Sequence, residues 1–341
     1  MLRHHKLYEC TSQQLQYIVG FLLILEFCLL KNLLMKSTIL PAPLKPGDLL
    51  RVIAPSGALR EFDAFERSIE IWRSRGYRVE ISPNIDQSWG YLADKDEIRR
   101  HQLATAWHDP DCRGILCARG GFGSTRILES WDWHKNSTAP KWLIGFSDIT
   151  ALLWSLFNVG ISSIHAPVLT TFANEPDWSR ERLLNWVEGK QVDPLKGCGW
   201  GGGIATGILL PGNLTVATHL LGTPLQPNFE DVILAFEDVT EAPYRIDRML
   251  TQWRLSGVLP NVRGIVLGGF TRCEPPANVP SFSVEEVLRD RLCDLGIPIV
   301  SDLPFGHGEQ NAALPVGVQV ILDGDQGILD IPTLLPCSPT A

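Results

Sequence analysis

The sequence predicts an α/β protein in which a parallel-sheet domain precedes a second, β-rich α/β domain, and three observations support this. From Leu49 onward, short apolar runs alternate with amphipathic stretches, which is typical of parallel strands joined by helices. The alternation lapses at 188–205 into sequence containing Gly, Pro and Lys, which is typical of an exposed linker. Strand-like runs then return. We therefore expect domains at 41–187 and 206–335.

Strands and helices alternate along the first domain, as a parallel sheet requires. In the first helical stretch, Phe62, Phe65, Ile69 and Trp72 fall on one helical face, and Gly76 supplies a C-terminal stop. The predicted strands are 49–54, 77–81, 114–118 and 143–145, and the later predicted helices are 95–108 and 124–131.

The second domain has more strand signals than helix signals, so we expect it to be β-rich and separate from the first. A capping box formed by Ser283 and Glu286 opens its second helix. The predicted strands are 207–210, 232–236, 264–268, 297–300, 316–322 and 328–331, and the predicted helices are 244–256 and 284–295.

Residues 1–40 form an N-terminal extension outside both predicted domains. The run at 17–30 is almost wholly apolar, but it carries Glu26 and is shorter than the roughly 20 residues of a spanning helix. Three interpretations stay open: a true start at Met35, a secretory signal or anchor, and a docked amphipathic helix. A spanning membrane anchor is not the expectation.

Composition and charge limit the kinds of molecule that this protein is expected to bind. The chain is 45% apolar and 20% charged, as in ordinary globular proteins, and its net charge of −8 without clustered Lys or Arg argues against a nucleic-acid partner. The eight cysteines show neither a Cys-x-x-Cys pair nor zinc-ligand spacing, which indicates reduced thiols. We expect a cytoplasmic protein with a small-molecule substrate, no cofactor or metal, and a homodimer as the default assembly.

A Gly-x-Ser turn at 145–147 separates a predicted strand from a stretch with helical spacing. Such a turn lifts the serine hydroxyl above the sheet edge and aims the following backbone N–H groups at its target. The second glycine of the Gly-x-Ser-x-Gly pattern is replaced by Ile149, so a simple helix cap is the alternative. Ser147 is therefore a candidate nucleophile that needs a base from elsewhere in the chain.

The best candidate for that base is His307. It lies between Gly306 and Gly308 in a loop after a predicted strand, where an imidazole can project freely. His165, at the end of an apolar run, and His219, on an apolar helical stretch, are the competitors.

Glu237 is the candidate carboxylate that would orient the base. It ends the apolar strand 232–236, and an acid at the end of a buried strand is costly unless it is paired. An imidazolium is one possible partner, and Arg245 or Arg248 is the other. Asp238 should point to the opposite side of the strand.

The glycine-rich stretch at 119–124 lies between a predicted strand and a predicted helix. It satisfies neither dinucleotide nor P-loop spacing, which argues against a nucleotide site. Its alternative use is an oxyanion hole, in which the N–H groups of Gly121 and Asp148 face one developing negative charge.

Five blocks carry a family resemblance, and they occur in the family's order. They are 53–56 (Ile-Ala-Pro-Ser), 118–123 (Ala-Arg-Gly-Gly-Phe-Gly), 145–150 (Gly-Phe-Ser-Asp-Ile-Thr), the paired segments 237–239 and 242–248, and 303–307 (Leu-Pro-Phe-Gly-His). With these blocks the chain, from about 41 to 332, resembles the serine LD-carboxypeptidases of peptidase family S66, which trim bacterial cell-wall peptides.

The resemblance implies a catalytic triad of Ser147, Glu237 and His307, located between the two domains. It also implies a flavodoxin-like first domain related to class I glutamine amidotransferases. The reaction implied is release of terminal D-alanine from a murein tetrapeptide during cell-wall recycling. One departure is Pro211 in the segment 211–214, where the family usually has Gly-Gly-Asn-Leu.

Two alternatives stay open beside this function. The first keeps the triad and is a microcin-immunity-like hydrolase of peptidyl or aminoacyl adenylate analogues. The second is a non-catalytic protein that binds cell-wall peptides in the same cleft. An exopeptidase must also bind the free terminal carboxylate, and Arg119, Arg245 and Arg248 are equal candidates for that role.

Overall fold

Two β-sheets organise the computed structural model, which describes residues 38–134, 139–275 and 277–332. The predicted α/β class, with a parallel sheet and a second sheet domain, is confirmed. The apolar run at 17–30 and the alternative start at Met35 lie outside the described residues. Within the described residues, no helix combines the length and the apolar character needed to cross a bilayer.

The strands follow the predicted apolar runs, with a few additions. They are β1 (Leu49–Ile53), β2 (Arg78–Ile81), β3 (Cys112–Cys117), β4 (Trp142–Gly145), β5 (Ser163–His165), β6 (Leu195–Lys196), β7 (Cys198–Gly199), β8 (Ile204–Asn213), β9 (Val232–Val239), β10 (Val262–Thr271), β11 (Ile299–Ser301), β12 (Leu314–Val316), β13 (Gln319–Asp323) and β14 (Ile328–Asp330).

The helices cover the sheets, and their capping box is the predicted one at Ser283 and Glu286. They are α1 (Phe62–Ser74), α2 (Asp96–His108), α3 (Ser124–Leu128), α4 (Thr150–Asn158), α5 (Leu169–Phe172), α6 (Asp177–Val187), α7 (Leu214–Leu220), α8 (Pro243–Leu255) and α9 (Val284–Leu292). Short 3₁₀ turns occur at Ser147–Ile149, Leu259–Asn261 and Cys293–Leu295.

The first sheet has the order β12-β5-β4-β3-β1-β2. Its first five strands in chain order are all parallel, and only β12 pairs antiparallel. The spatial order 2-1-3-4-5 is that of flavodoxin-like sheets, in which ligands bind outside the carboxyl ends of the strands. Residues at those ends are therefore the first place to look for chemistry.

The second sheet has eight strands in the order β6-β14-β13-β8-β9-β10-β11-β7. Its central strands, β8 to β11, are parallel, and the outer pairings are antiparallel. Trp154 on α4 packs against Phe229 and Trp253, at ring-centroid distances of 6.0 and 6.5 Å. This aromatic contact joins the helical layer of the first sheet to that of the second.

The predicted strand 316–322 is wrong, because the structure divides it between the two sheets. Leu314–Val316 joins the first sheet, and Gln319–Asp323 joins the second. The division falls at Gly317, whose φ of +83° lies in the left-handed region that favours glycine. A strand from the second half of the chain thus completes the first sheet.

The predicted linker 188–205 contains the short strands β6 and β7, so it is not wholly an irregular connection. Its glycines permit close strand approach: a Cβ on Gly197 would lie 2.0 Å from the Ser301 carbonyl oxygen, and one on Gly199 would lie 2.2 Å from that of Gly324. At these two positions, the glycines that indicated an exposed linker instead permit tight packing at the sheet edge.

Candidate active site

Ser147 lies on a strained turn at the carboxyl end of β4. The strand ends at Gly145, Phe146 is extended, and Ser147 has a φ of +62° before the chain enters a 3₁₀ turn and α4. Left-handed backbone at a residue with a Cβ costs roughly 1–2 kcal/mol, and such strain recurs where a side chain must be presented for chemistry. The turn has the geometry expected of a nucleophile elbow.

Two glycines make room for this turn. A Cβ on Gly120 would lie 3.1 Å from the Ser147 hydroxyl oxygen, so the loop after β3 lies directly against that hydroxyl. A Cβ on Gly145 would lie 3.0 Å from the side chain of Ile149. The absence of a side chain at Gly145 thus accommodates Ile149, the residue that departs from the Gly-x-Ser-x-Gly pattern.

The side chain of Asp148 fastens the turn to its surroundings. Its Oδ2 accepts hydrogen bonds from the Ser56 hydroxyl at 2.6 Å and from the Ser124 N–H at 2.8 Å. The Ser124 hydroxyl donates in return to the Asp148 carbonyl oxygen at 2.6 Å. All three residues are buried, so the turn is held by charge-assisted bonds shielded from water.

The structure brings Ser147, His307 and Glu237 into one hydrogen-bonded line. His307 Nε2 lies 3.1 Å from Ser147 Oγ, and His307 Nδ1 lies 2.6 Å from Glu237 Oε2. The His307 ring packs at 4.7 Å, centroid to centroid, against Phe146, the residue before the serine. Ser147 follows β4 of the first sheet, whereas in the second sheet Glu237 lies near the carboxyl end of β9 and His307 lies in the loop after β11.

Asn213 supports the carboxylate of this line. Its Nδ2 donates to Glu237 Oε1 at 3.2 Å and to Asp238 Oδ1 at 3.0 Å, while its Oδ1 caps α7 by accepting from the Val216 N–H. Its own N–H donates to the Thr150 hydroxyl, one turn after Ser147. The sequence signals for this residue were its place in the family's Gly-Gly-Asn-Leu segment and the apolar helical stretch around His219 that follows it, although the bounds of α7 were not predicted.

Burial and pairing act in opposite directions on the Glu237–His307 pair. Burial raises the pKa of the fully buried Glu237 carboxyl. The charge and the hydrogen bond of His307 lower that pKa by a larger amount, so the net pKa lies below its usual value. Burial lowers the pKa of His307, but the Glu237 carboxylate outweighs it and the net pKa lies above 6.5. A charged carboxylate therefore faces a histidine of increased basicity.

The competing residues do not reach Ser147. His165 is buried between Phe146 and Phe305, and burial lowers its pKa to about 4, so it is neutral. His219 is exposed on α7, where its Nδ1 lies 2.6 Å from the Thr215 carbonyl oxygen. Asp238 accepts hydrogen bonds from Thr215, from Asn213 and from the Val239 N–H instead of contacting His307.

Two backbone N–H groups, on the glycine loop and on the Ser147 turn, make no hydrogen bond within the described residues. Those of Gly121 and Asp148 donate no hydrogen bond to any residue in the described ranges. Gly121 has a φ of +109°, and Asp148 stands in the first turn of a helix, where N–H groups lack intrahelical partners. Within those ranges, no group of three or more His, Cys, Asp and Glu side chains is placed to hold a metal.

Two family models match this chain. The LD-carboxypeptidase N-terminal domain matches residues 50–166, and the LD-carboxypeptidase C-terminal domain matches residues 206–322. The first match includes Ser147, and the second includes Glu237 and His307. Together the matches cover more than half of the chain.

Individual proteins agree with these matches. A Synechocystis sp. protein classed as a carboxypeptidase is 58% identical over 294 residues, which are 86% of this chain and 97% of the relative. The crystal structure of muramoyltetrapeptide carboxypeptidase from Oxalobacter formigenes superposes with a TM-score of 0.72 at 30% identity, covering 82% of this chain and 97% of that one.

The microcin C7 self-immunity protein MccF, solved with glutamyl sulfamoyl guanosine, is a further structural neighbour. Its TM-score is 0.78 at 22% identity, over 86% of this chain and 99% of that one. At that identity the likeness concerns the fold alone.

Proposed function

Because this chain belongs to the LD-carboxypeptidase family, we propose that it is a serine-type LD-carboxypeptidase that releases terminal D-alanine from a murein tetrapeptide. The observation that carries the proposal is the hydrogen-bonded line from Ser147 through His307 to Glu237. That line has the composition and order of a serine hydrolase triad. We place the reaction in cell-wall recycling in the cytoplasm.

In the first half of the reaction, neutral His307 takes the proton of Ser147 as the serine oxygen attacks the carbonyl carbon of the scissile bond. Glu237 holds the histidine tautomer and stabilises the imidazolium. The N–H groups of Gly121 and Asp148 bind the oxyanion. His307 then gives its proton to the nitrogen of D-alanine, which leaves, and the peptide remains as an ester on Ser147.

In the second half, His307 takes a proton from water, and the resulting hydroxide attacks the ester carbonyl. The tetrahedral intermediate collapses, the C–O bond to Ser147 breaks, and the serine oxygen recovers its proton from His307. The products are the shortened peptide, with a free carboxylate, and D-alanine. The side chains of this protein supply every proton transfer.

The direct test is release of free D-alanine from muropeptide tetrapeptide, measured by mass spectrometry. The unmodified protein should release D-alanine, and a chelator should not alter the rate. Ser147→Ala should reduce turnover by at least about 10⁴-fold, because it removes the attacking atom. It should still bind the peptide, as measured by calorimetry.

Ser74→Ala is the matched control, since Ser74 is exposed on α1 and, among the described residues, its hydroxyl donates only to the Ile71 carbonyl oxygen. It should hydrolyse the peptide normally. Turnover that survives Ser147→Ala would contradict the serine mechanism. Binding of tetrapeptide without hydrolysis by the unmodified protein would support the non-catalytic alternative.

The microcin-immunity alternative draws on the fold shared with MccF, and the same assay addresses it. A glutamyl sulfamoyl nucleoside replaces the tetrapeptide, with release of glutamate as the readout. We expect the tetrapeptide to be the better substrate by kcat/KM. The reverse preference would assign the protein to the alternative.

A further inference from the structure

Arg119 is the one of the three candidate arginines whose guanidinium lies against the glycine loop that contacts Ser147. Its Nη1 packs against glycine backbone: a Cβ on Gly57 would lie 2.6 Å from it, and a Cβ on Gly121 would lie 2.9 Å from it. The Gly57 N–H donates to the Gly120 carbonyl oxygen at 3.0 Å, and Gly120 in turn lies against the Ser147 hydroxyl. The guanidinium thus packs on the same glycine loop that lies against the attacking hydroxyl.

Arg245 and Arg248 belong to a different part of the molecule. They line a groove between α7 and α8, together with Thr215, His219 and Tyr244. Thr215 hydrogen-bonds Asp238, not Glu237. A ligand held by these two arginines would contact the helices and Asp238 instead of the glycine loop that faces Ser147.

The hydrogen-bonding capacity of Arg119 is only partly used. Its Nε donates to Glu61 Oε2 at 3.2 Å, whereas neither Nη group donates to a residue in the described ranges. The Arg119 side chain is 27% exposed and that of Glu61 is 47% exposed, so this ion pair lies in contact with solvent. The neighbouring Phe122, which packs against Tyr91, is also exposed, so this wall of the site is open to a ligand.

We propose that Arg119 binds the terminal carboxylate of the substrate through its two Nη groups, and this rests on the proposed function. In the leaving D-alanine, the carboxylate stands two bonds beyond the scissile nitrogen, so its receptor must lie next to the nucleophile. A guanidinium can bind both carboxylate oxygens in parallel, which fixes the peptide as well as attracting it. Arg119 is then the residue that makes the enzyme an exopeptidase.

The test measures kcat/KM for the tetrapeptide with a free C-terminal carboxylate (the acid) and for the same peptide with a C-terminal amide. Both are measured in the unmodified protein and in Arg119 variants. Arg119→Met should lower kcat/KM for the acid by roughly 10- to 100-fold, since it removes a charge-assisted bidentate contact. It should change kcat/KM for the amide little, because the amide lacks the carboxylate that Arg119 binds. Arg119→Lys keeps the charge without the fork and should give an intermediate loss.

Arg248→Met is the matched control, and it should leave the preference for acid over amide intact. Circular dichroism melting shows whether each variant is folded. Equal losses on acid and amide in Arg119→Met, or the same loss of preference in Arg248→Met, would overturn this inference alone. An unmodified protein that neither hydrolyses nor binds the acid would overturn the proposed function and the inference with it.

Discussion

The turn that carries Ser147 and the pair formed by Glu237 and His307 meet in one line of hydrogen bonds, yet they are held in different ways. Ser147 is placed by a left-handed φ of +62° within a turn that Gly145, Gly120 and the buried hydrogen bonds of its neighbour Asp148 hold in shape. Glu237 and His307 are 70 positions apart in the sequence, and His307 is 160 positions from Ser147. Only tertiary contacts bring these side chains together.

The tertiary contacts that hold Glu237 and His307 are buried and consist of specific hydrogen bonds. Besides the support from Asn213, the Gly306 N–H donates to Asn311 Oδ1, and the Asn311 N–H donates to Glu175 Oε2. The His307 loop is therefore anchored to the segment between α5 and α6. Substitutions of Glu237 or of the His307 loop should therefore change both the catalytic rate and the positions of the two side chains. Substitutions of Ser147 should allow the loss of the hydroxyl to be measured separately from the backbone strain of the turn.

The largest effect that would sharpen this comparison is expected from Glu237→Gln. The amide can no longer stabilise an imidazolium or hold the required tautomer, so kcat should fall by about 10³–10⁴-fold. In the unmodified enzyme, kcat/KM should rise with pH through a pKa above 6.5, because only neutral His307 accepts the serine proton. Without the carboxylate, burial dominates, and the inflection should move to lower pH.

The pH dependence of kcat/KM in Glu241→Gln is the control for this change. Glu241 follows the same strand and pairs with Arg245, so its loss removes the same charge without touching His307. Its profile should match that of the unmodified enzyme. An unshifted inflection in Glu237→Gln would show that Glu237 does not set the basicity of His307.

An effect of intermediate size is expected from Gly306→Ala, which should displace Glu237 or His307 without altering either side chain. Gly306 has a φ of +110°, and a Cβ there would lie 2.7 Å from the Cβ of Glu237. Either Glu237 or the His307 loop must move, and a shift of about 1 Å in a catalytic group can cost roughly 100-fold in rate. We expect kcat/KM to fall by about that factor, with a lowered melting temperature.

Gly308→Ala is the matched control on the other side of His307. Gly308 is not among the residues with positive φ, and the nearest atom to a Cβ there is Thr271 Oγ1 at 3.8 Å. Both its activity and its melting temperature should be close to those of the unmodified protein. Equal behaviour of the two alanine variants would show that close packing at Gly306 does not position His307.

The sequence contains the information for the parallel sheet because its strands are apolar runs long enough to be recognised locally. It does not reveal that 316–322 divides between two sheets, since that depends on which edge each piece meets. It indicates an apolar helical stretch around His219 but not the bounds of α7, a helix of seven residues capped by Asn213. The conformation of such short helices and strands depends on tertiary contacts, which the local sequence pattern does not predict.

The candidate site shows the same limit. Ser147, Glu237 and His307 were each recognisable by residue type and by position after a strand, but their convergence could be expected only from the family resemblance. Both glycines around His307 suggested a loop from which the imidazole can project freely, whereas of the two the structure requires glycine only at Gly306, to admit Glu237. Close approach between distant segments has no signature in a single sequence.

The smallest expected effect concerns stability and isolates the strain at the turn. Ser147→Ala and Ser147→Gly both remove the attacking hydroxyl, so neither should turn over substrate. The left-handed backbone costs alanine roughly 1–2 kcal/mol and glycine almost nothing, while glycine loses about 0.5–1 kcal/mol more chain entropy on folding. Ser147→Gly should therefore be the more stable variant by about 0.5–1 kcal/mol in urea unfolding.

Glu70, exposed on helix α1, is the control position. There the alanine variant should instead be more stable than the glycine variant by about 1 kcal/mol in free energy of unfolding. The same order at both positions would mean that the left-handed backbone at Ser147 is not strained, and the buried hydrogen bonds of Asp148 would then be what holds the turn.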